Sequence, residues 1–438
     1  MNDEVQPRRR GFELQGWHVL LALAATFVLI FVLFVWTGKS QLNRKMEELR
    51  AKGYPTSFAD LEDYRKLPEG VENAARTYVE AFYAYQDVTP EEKAILPIVG
   101  TAKPPDPNAP MPADMKAAME AFLARNQKTL ELLHQAGQIE HCRYDLDFRL
   151  GVPMSPYLNS LKSPARLLSA ATLERAESGD VGAACEYLVD LLHLGRSVDH
   201  DPFLIGHLVG IAVHAMGVSD LEAILSRLQP DDQLLVRLDR EFRAVRKSHS
   251  LVHGLMGEAS LLETYAQSTG TVRVGSLMRY TGVLDRNAVV HADFIERFVE
   301  AAKLPVRERL ETFRAIDQEA DDLSLLYVLV KIHVPTMAKV AEIDARVQAQ
   351  LDSVLAAIAV ERYRLAEGRL PERLDELVPK YIEAVPIDPF DGRPLRYRRL
   401  AKGYIIYTIG ADEIDNGGRG KIPNTEPVQQ DFPFRVLR

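Results

Sequence analysis

Cysteine is nearly absent from this chain: Cys142 and Cys185 are the two in 438 residues. So few thiols build neither a disulfide framework nor a cysteine-rich zinc site, and two buried thiols are the simplest reading. Tryptophan is as scarce, with Trp17 and Trp36 alone. Familiar catalytic signatures are missing. There is no G-x-S-x-G, G-x-G-x-x-G or C-x-x-C, and Gly270 and Gly275 have P-loop spacing without the lysine that would reach a phosphate. Positive charge is not in excess either. The formal net charge is −9, and no long basic run offers the concentrated face that nucleic-acid phosphates require.

One further absence organises the rest. No Asp, Glu, Lys or Arg occurs from position 14 to position 38. Residues 17–37, WHVLLALAATFVLIFVLFVWT, form an apolar run of about 30 Å as a helix, enough to cross a bilayer once. Trp17 and Trp36 flank it, where amphipathic rings favour the water–lipid interface. A cleaved signal peptide would carry a shorter apolar core of about 7–15 residues, and this run continues past the small-residue site at 22–24. Expected organisation is therefore a cytoplasmic tail at 1–16, a transmembrane helix at 17–37 and a stalk at 38–54, where SQLNRKMEELRAK mixes charges before Gly53, Tyr54 and Pro55 stop the helix. The stalk leads to a large water-soluble part.

The body, 55–335, reads as an irregular α-helical array. Tyr78 and Phe82 fall on one helical stripe, and Met115, Met119, Phe122, Leu130 and Leu133 on another, both patterns of core residues. A Pro-rich loop at 103–112 interrupts the array. Helices are expected at 165–178 and 182–198 across an SGD turn, and another from Asp201 and Pro202 towards Leu228. That turn resembles a tetratricopeptide hairpin, present once and without the sustained period of about 34 residues. Residues 270–280 read as a loop or short hairpin. A long helix at 336–366 then leads into a small α+β module that ends near 420, and 421–438 is a C-terminal extension. The fold class expected is mainly α, with a short β-hairpin formed by 395–399 and 404–408.

The module carries a motif string. Gly368, Pro371, Leu374 and Leu377 are followed by Pro386, Asp388, Pro389, Phe390, Pro394 and Tyr397, then by Tyr407, Thr408, Gly410, Ala411, Asp412, Gly417 and Gly418. This order resembles the C-terminal head of the major pseudopilins of type II secretion systems. The whole chain is also similar to single-span bacterial membrane proteins with a helical body and such a tail. About three hundred residues separate the apolar run from this head, where a pseudopilin joins the two directly. Arg10, Gly11 and Phe12 match a prepilin-peptidase site, but Gly16 stands where that family has Glu. In that family the last loop holds calcium. The resemblance implies Asp412 and Asp415 as ligands, with Asn416 and the Ile409 carbonyl beside them, while Arg419, Gly420 and Lys421 replace a further acidic pair. Calcium takes about six to eight hard oxygen ligands, which is the chemistry of such a loop.

Topology follows from two observations that pull apart. Lys39, Arg44, Lys45, Arg50 and Lys52 outnumber Arg8, Arg9 and Arg10, yet three adjacent arginines on a short tail resist translocation. With the pseudopilin-like tail, they favour an N-terminus in the cytoplasm and a large domain outside it, at a bacterial inner membrane. Histidines at 193, 200, 207 and 214 recur every seven residues, and His249 and His253 have zinc-binding spacing with Glu258 nearby, although Ser250 replaces the general base of H-E-x-x-H. No nucleophile, base and orienting group assemble. The function expected is a non-enzymatic envelope scaffold or adaptor, linked to secretion machinery and partnered by other envelope proteins. A membrane-anchored metal-dependent hydrolase using His249, His253 and Glu258 is the alternative, and an atypical pilus component the second.

Overall fold

The computed structural model of the chain describes residues 16–106, 109–147, 155–248, 251–263, 281–420 and 430–438. The loop read at 270–280, the residues before Gly16, and His249 lie outside them. Helix α1, Gly16–Ala51, is unbroken. It is long and apolar enough to cross a membrane, and none of its most apolar stretch is buried against the rest of the chain. The expected stop is present: Gly53 adopts a positive φ of 86° and the Tyr54 N–H returns to the Leu49 carbonyl at 3.0 Å.

Short helices follow: α2 at Phe58–Tyr64, α3 at Ala75–Ala84, α4 at Pro90–Ile95, α5 at Ala113–Arg125 and α6 at Gln127–Gly137. Longer ones come next, α7 at Tyr157–Ser178, α8 at Val181–Arg196, α9 at Leu204–Arg227 and α10 at Asp232–Ser248. The SGD turn between α7 and α8 forms as expected. Gly179 takes the left-handed φ of 83°, and the Asp180 carboxylate accepts the Ala183 N–H at 3.0 Å, capping α8. Helix α9 is also apolar enough to span a membrane, but over half of its apolar window is buried, so it is a core helix of the body. Then come α11 at Leu251–Glu258, α12 at Val283–Ala302, α13 at Val306–Asp321 and α14 at Val328–Glu367.

Three apolar cores result. One joins α3, α5, α6, α7 and α8 around Tyr78, Phe122 and Leu168. A second joins α8, α9, α10, the later half of α14 and the C-terminal sheet. The third gathers α11, α12, α13, the early half of α14 and the second half of α1. Leu42 and Leu49 of α1 are fully buried there, among Phe294, Ile295 and Phe298. The stretch expected as a stalk is therefore helical but not free-standing. Lys45 reinforces it by pairing with Asp293 and Glu296, each at 2.7 Å.

Helices α7 and α14 both begin earlier than the sequence pattern suggests, each running through a proline, Pro164 and Pro335. Tyr157, Leu158 and Leu161 before the first, and Val330 and Val334 before the second, are buried. That burial outweighs the one hydrogen bond each proline removes.

The tail folds into a three-stranded antiparallel sheet of order β1-β2-β3: β1 at Arg396–Arg399, β2 at Tyr404–Thr408 and β3 at Phe432–Val436. The hairpin has the expected limits, with Arg399 opposite Tyr404. Gly403 has φ 86°, and a side chain there would strike the Val436 carbonyl. β3 comes from the segment read as a mere extension, and it makes β2 the central, wholly buried strand. The chain end is also fixed. The Leu437 N–H donates to Ser226 Oγ at 3.1 Å, and the Arg438 guanidinium meets Glu361 and the Leu228 carbonyl.

Candidate functional site

The motif residues of the tail converge on one buried carboxylate. Asp388 sits in a tight turn, its N–H donating to the Arg393 carbonyl at 2.8 Å and its carbonyl accepting from Gly392 N–H at 2.9 Å. Its side chain is fully buried and accepts from Thr408 Oγ1 at 2.7 Å, Phe390 N–H at 3.1 Å, Ile409 N–H at 3.0 Å and Arg396 Nη1 at 2.5 Å. A buried carboxylate is tolerated when its lone pairs are taken up in this way. Arg396 also binds Asp391 and lies 3.7 Å from Asp415. Burial raises the Asp391 carboxyl, but its hydrogen bonds to Arg396 and the Arg393 N–H, together with the charges of both arginines, outweigh this and hold it below the ordinary range. Tyr397 Oη donates to the Pro371 carbonyl at 3.0 Å, so the first and second parts of the motif string touch.

The loop after β2 is closed by its own carboxylates. Asp412 accepts from Ile414 N–H at 3.4 Å and Gln430 N–H at 3.2 Å. Asp415 accepts from Tyr407 Oη at 3.1 Å and Gly417 N–H at 2.8 Å. The Asn416 amide donates to the Ile414 carbonyl at 3.2 Å. Ile409 lies at the base of the loop, its side chain buried with Leu310, Ala345 and Phe390. The unforeseen member is Asp431, at the start of β3. Its Oδ2 accepts from Asn416 N–H at 3.0 Å and Gly418 N–H at 2.7 Å, while Oδ1 is buried without a hydrogen-bond partner. Burial raises the Asp431 carboxyl, backbone N–H groups of Gly418 and Asn416 oppose this, and Asp415 and Asp412 add to it. These donors are hard oxygens of the kind calcium takes. Among the described residues, however, no three His, Cys, Asp or Glu side chains converge as a metal-holding group.

A cleft of about 710 Å³ lies where the body meets the tail. Arg243, Arg246 and Lys247 of α10 and Arg307 at the start of α13 bring four cationic side chains to its wall. Apolar side chains of Val306, Leu355, Ile382 and Ile387 face it as well. Arg246 pairs with Asp352 at 2.5 Å and Arg243 with Asp239 at 2.7 Å, which fixes both guanidinium groups. Nothing local in the sequence marks this place, because its walls come from four separate segments spread over residues 243–389.

The histidines that recur every seven residues do not form a set. His193 faces Glu241 at 3.1 Å. His207 faces Asp344 at 3.0 Å, and the same Asp344 pairs with Arg309 at 3.1 Å in a buried triad. His214 is buried against Gly195, and His200 packs edge-on against His253 at 5.4 Å. Glu258 turns elsewhere. It accepts the Leu204 N–H at 3.2 Å and stands 4.0 Å from His333, whose other ring nitrogen meets His291 at 2.6 Å.

Compared with known proteins, the chain matches no family model, no curated protein and no solved structure.

Proposed function

We propose that this protein is a membrane-anchored scaffold or adaptor of the bacterial envelope, with α1 spanning the inner membrane, a cytoplasmic N-terminus and the helical body and tail outside the cytoplasm. One observation carries the reading: the apolar-walled cleft between body and tail, whose four cationic side chains outnumber its two carboxylates, Asp352 and Glu383. Its chemistry suits an acidic segment with apolar side chains, presented by another envelope protein such as a component of secretion machinery. Guanidinium groups offer paired donors to carboxylates, and the apolar wall adds burial. Calcium is the ion proposed for the tail loop, through Asp412, Asp415 and Asn416 with the Ile409 carbonyl.

A photo-crosslinking residue at Ile387 on the cleft wall tests the reading in cells. The expected result is a discrete adduct with one envelope protein that disappears in Arg243→Glu/Arg246→Glu. Absence of any adduct, or one indifferent to that charge reversal, would remove the adaptor role. A reporter fused after Arg438 tests the topology: activity of a periplasm-only reporter is expected, and activity of a cytoplasm-only one would reverse the orientation.

A further inference from the structure

We propose that the loop joining α13 to α14 rests on the lipid surface, giving the body a second contact with the bilayer beside α1. The proposal rests on α1 spanning the membrane.

The first ground is exposure. Leu325, Leu326 and Ile332 are 84%, 65% and 67% exposed, and Val328 between them is exposed too. Apolar side chains scattered singly on a surface need no explanation, but four within one short segment do. The spacing 325, 328, 332 places three of them along one side as α14 begins.

The second ground is height. Helices α1 and α12 run in the same direction. Gly38 lies against Gly282, Lys45 pairs with Asp293 at 2.7 Å, and Tyr54 Oη donates to Glu300 at 3.2 Å. Helices α12 and α14 also run in parallel, because Asn287 Nδ2 donates to the Leu326 carbonyl at 2.8 Å and His291 meets His333 further on. All three therefore rise from the same end of the body. Gly282 touches Val35, next to the interfacial Trp36. Leu326, level with Asn287, stands within about 8 Å of that height, the depth of one headgroup layer, whereas Ile332, beside His333 and so level with His291, stands about 13 Å from it, so Leu325 and Leu326 make the contact.

The third ground is how the loop is held. Lys331 Nζ donates to the carbonyls of Asp321 at 2.5 Å and Leu323 at 3.1 Å, so the apolar side chains are presented by a fixed backbone. Arg286 stacks on the Phe34 ring, 4.1 Å from its centre, and donates to Thr37 Oγ1 at 3.0 Å, which ties the base of α12 to α1 where it leaves the apolar run. Asp321 and Asp322 border the loop, so the attraction is apolar and does not depend on anionic lipid. With both contacts made, the body stands in one orientation over the membrane, and the cleft at its other end faces away from it.

The test uses the full chain in vesicles of phosphatidylcholine in which a fraction of the choline headgroups carries a nitroxide, which quenches tryptophan at the lipid surface. Trp17 and Trp36 are the natural tryptophans, so the unaltered chain reports on the span alone. A Trp17→Phe/Trp36→Phe/Leu325→Trp chain reports on the loop. A Trp17→Phe/Trp36→Phe/Val236→Trp chain is the control, since Val236 is exposed on α10 near the far end of α14, where Asp232 pairs with Arg362. Loss of emission from the natural chain and from Leu325→Trp, with none from Val236→Trp, is expected. A quenched natural chain with an unquenched Leu325→Trp overturns the lipid contact and leaves the span intact; a blue-shifted but unquenched emission would mean that protein covers the loop. An unquenched natural chain overturns span and loop contact together.

Discussion

Arg396 Nη1 donates to Asp388 Oδ2 at 2.5 Å, and the same guanidinium holds Asp391 and approaches Asp415. One side chain of β1 thus joins the turn before the sheet to the loop after β2. Removing it strands a fully buried carboxylate. Arg396→Ala is expected to destabilise the protein by about 3 kcal/mol, as for other broken buried pairs. Arg396→Lys should recover little of this, because a single ammonium cannot reproduce the fork between Asp388 and Asp391. Urea unfolding of both variants measures the difference. A loss within error of zero for Arg396→Ala would mean that the network does not hold the tail.

The burial of α1 in the body makes a second prediction. Leu49 is fully buried beside α12, in a core with Phe298 and Val299. Leu49→Ala should cost about 2–5 kcal/mol, the range for large-to-small changes in a core. A soluble fragment beginning at residue 55 should be much less stable than one beginning at residue 39. Equal melting temperatures for the two fragments would mean that residues 39–54 add nothing to the stability of the body.

How much of this was legible beforehand depended on whether the deciding interactions were local. The β1–β2 hairpin was readable because its turn is set by Gly403 within a few residues of both strands. β3 was not. Pro433 speaks against a strand, and only an edge position opposite Tyr407 makes it acceptable. With β3 came Asp431, whose carboxylate reaches back to Asn416 and Gly418. The loop thus has a third aspartate, beyond its glycines, one that the adjacent Arg419, Gly420 and Lys421 give no hint of. The early starts of α7 and α14 were hidden for a different reason. Proline is a strong local signal, and the apolar packing that overrode it at Pro164 and Pro335 comes from partners distant in sequence.

Buried acids in the body give the stability a pH dependence. Asp220 on α9 is buried, accepts from Ser169 Oγ at 2.6 Å, and burial raises its carboxyl to about 7. Between its ordinary value near 3.8 and about 7, the folded chain holds a proton that the unfolded chain has lost. This contribution is full below the ordinary value and is lost as pH rises towards 7. His291 acts in the opposite sense: burial and the neighbouring His333 lower it to about 3, so its part of the stability grows as pH rises towards 6.5. Comparison with Asp220→Asn isolates the first term. Between pH 5 and 7 the variant should lose less stability with rising pH, by up to about 1.4 kcal/mol per pH unit. Parallel stability curves for the two proteins would show that Asp220 ionises normally.

Calcium gives the sharpest test of the tail loop. Asp412, Asp415 and Asp431 border one loop without converging as a metal-holding group, and the buried Oδ1 of Asp431 has no hydrogen-bond partner. Their mutual repulsion favours a cation. Each already accepts N–H or O–H groups, however, so an entering ion must displace some of these bonds, which argues for the weak affinities of extracellular sites, about 10⁻⁴–10⁻³ M. At about ten times the dissociation constant the folded state gains about 1.4 kcal/mol, a shift of a few degrees in melting temperature. The rise should be reversed by chelator and absent in Asp412→Ala and Asp431→Asn. The second variant discriminates best, because its amide keeps one carbonyl oxygen for hydrogen bonding while removing the charge. No rise at several millimolar calcium would mean that Arg396 and the backbone N–H groups alone hold this loop.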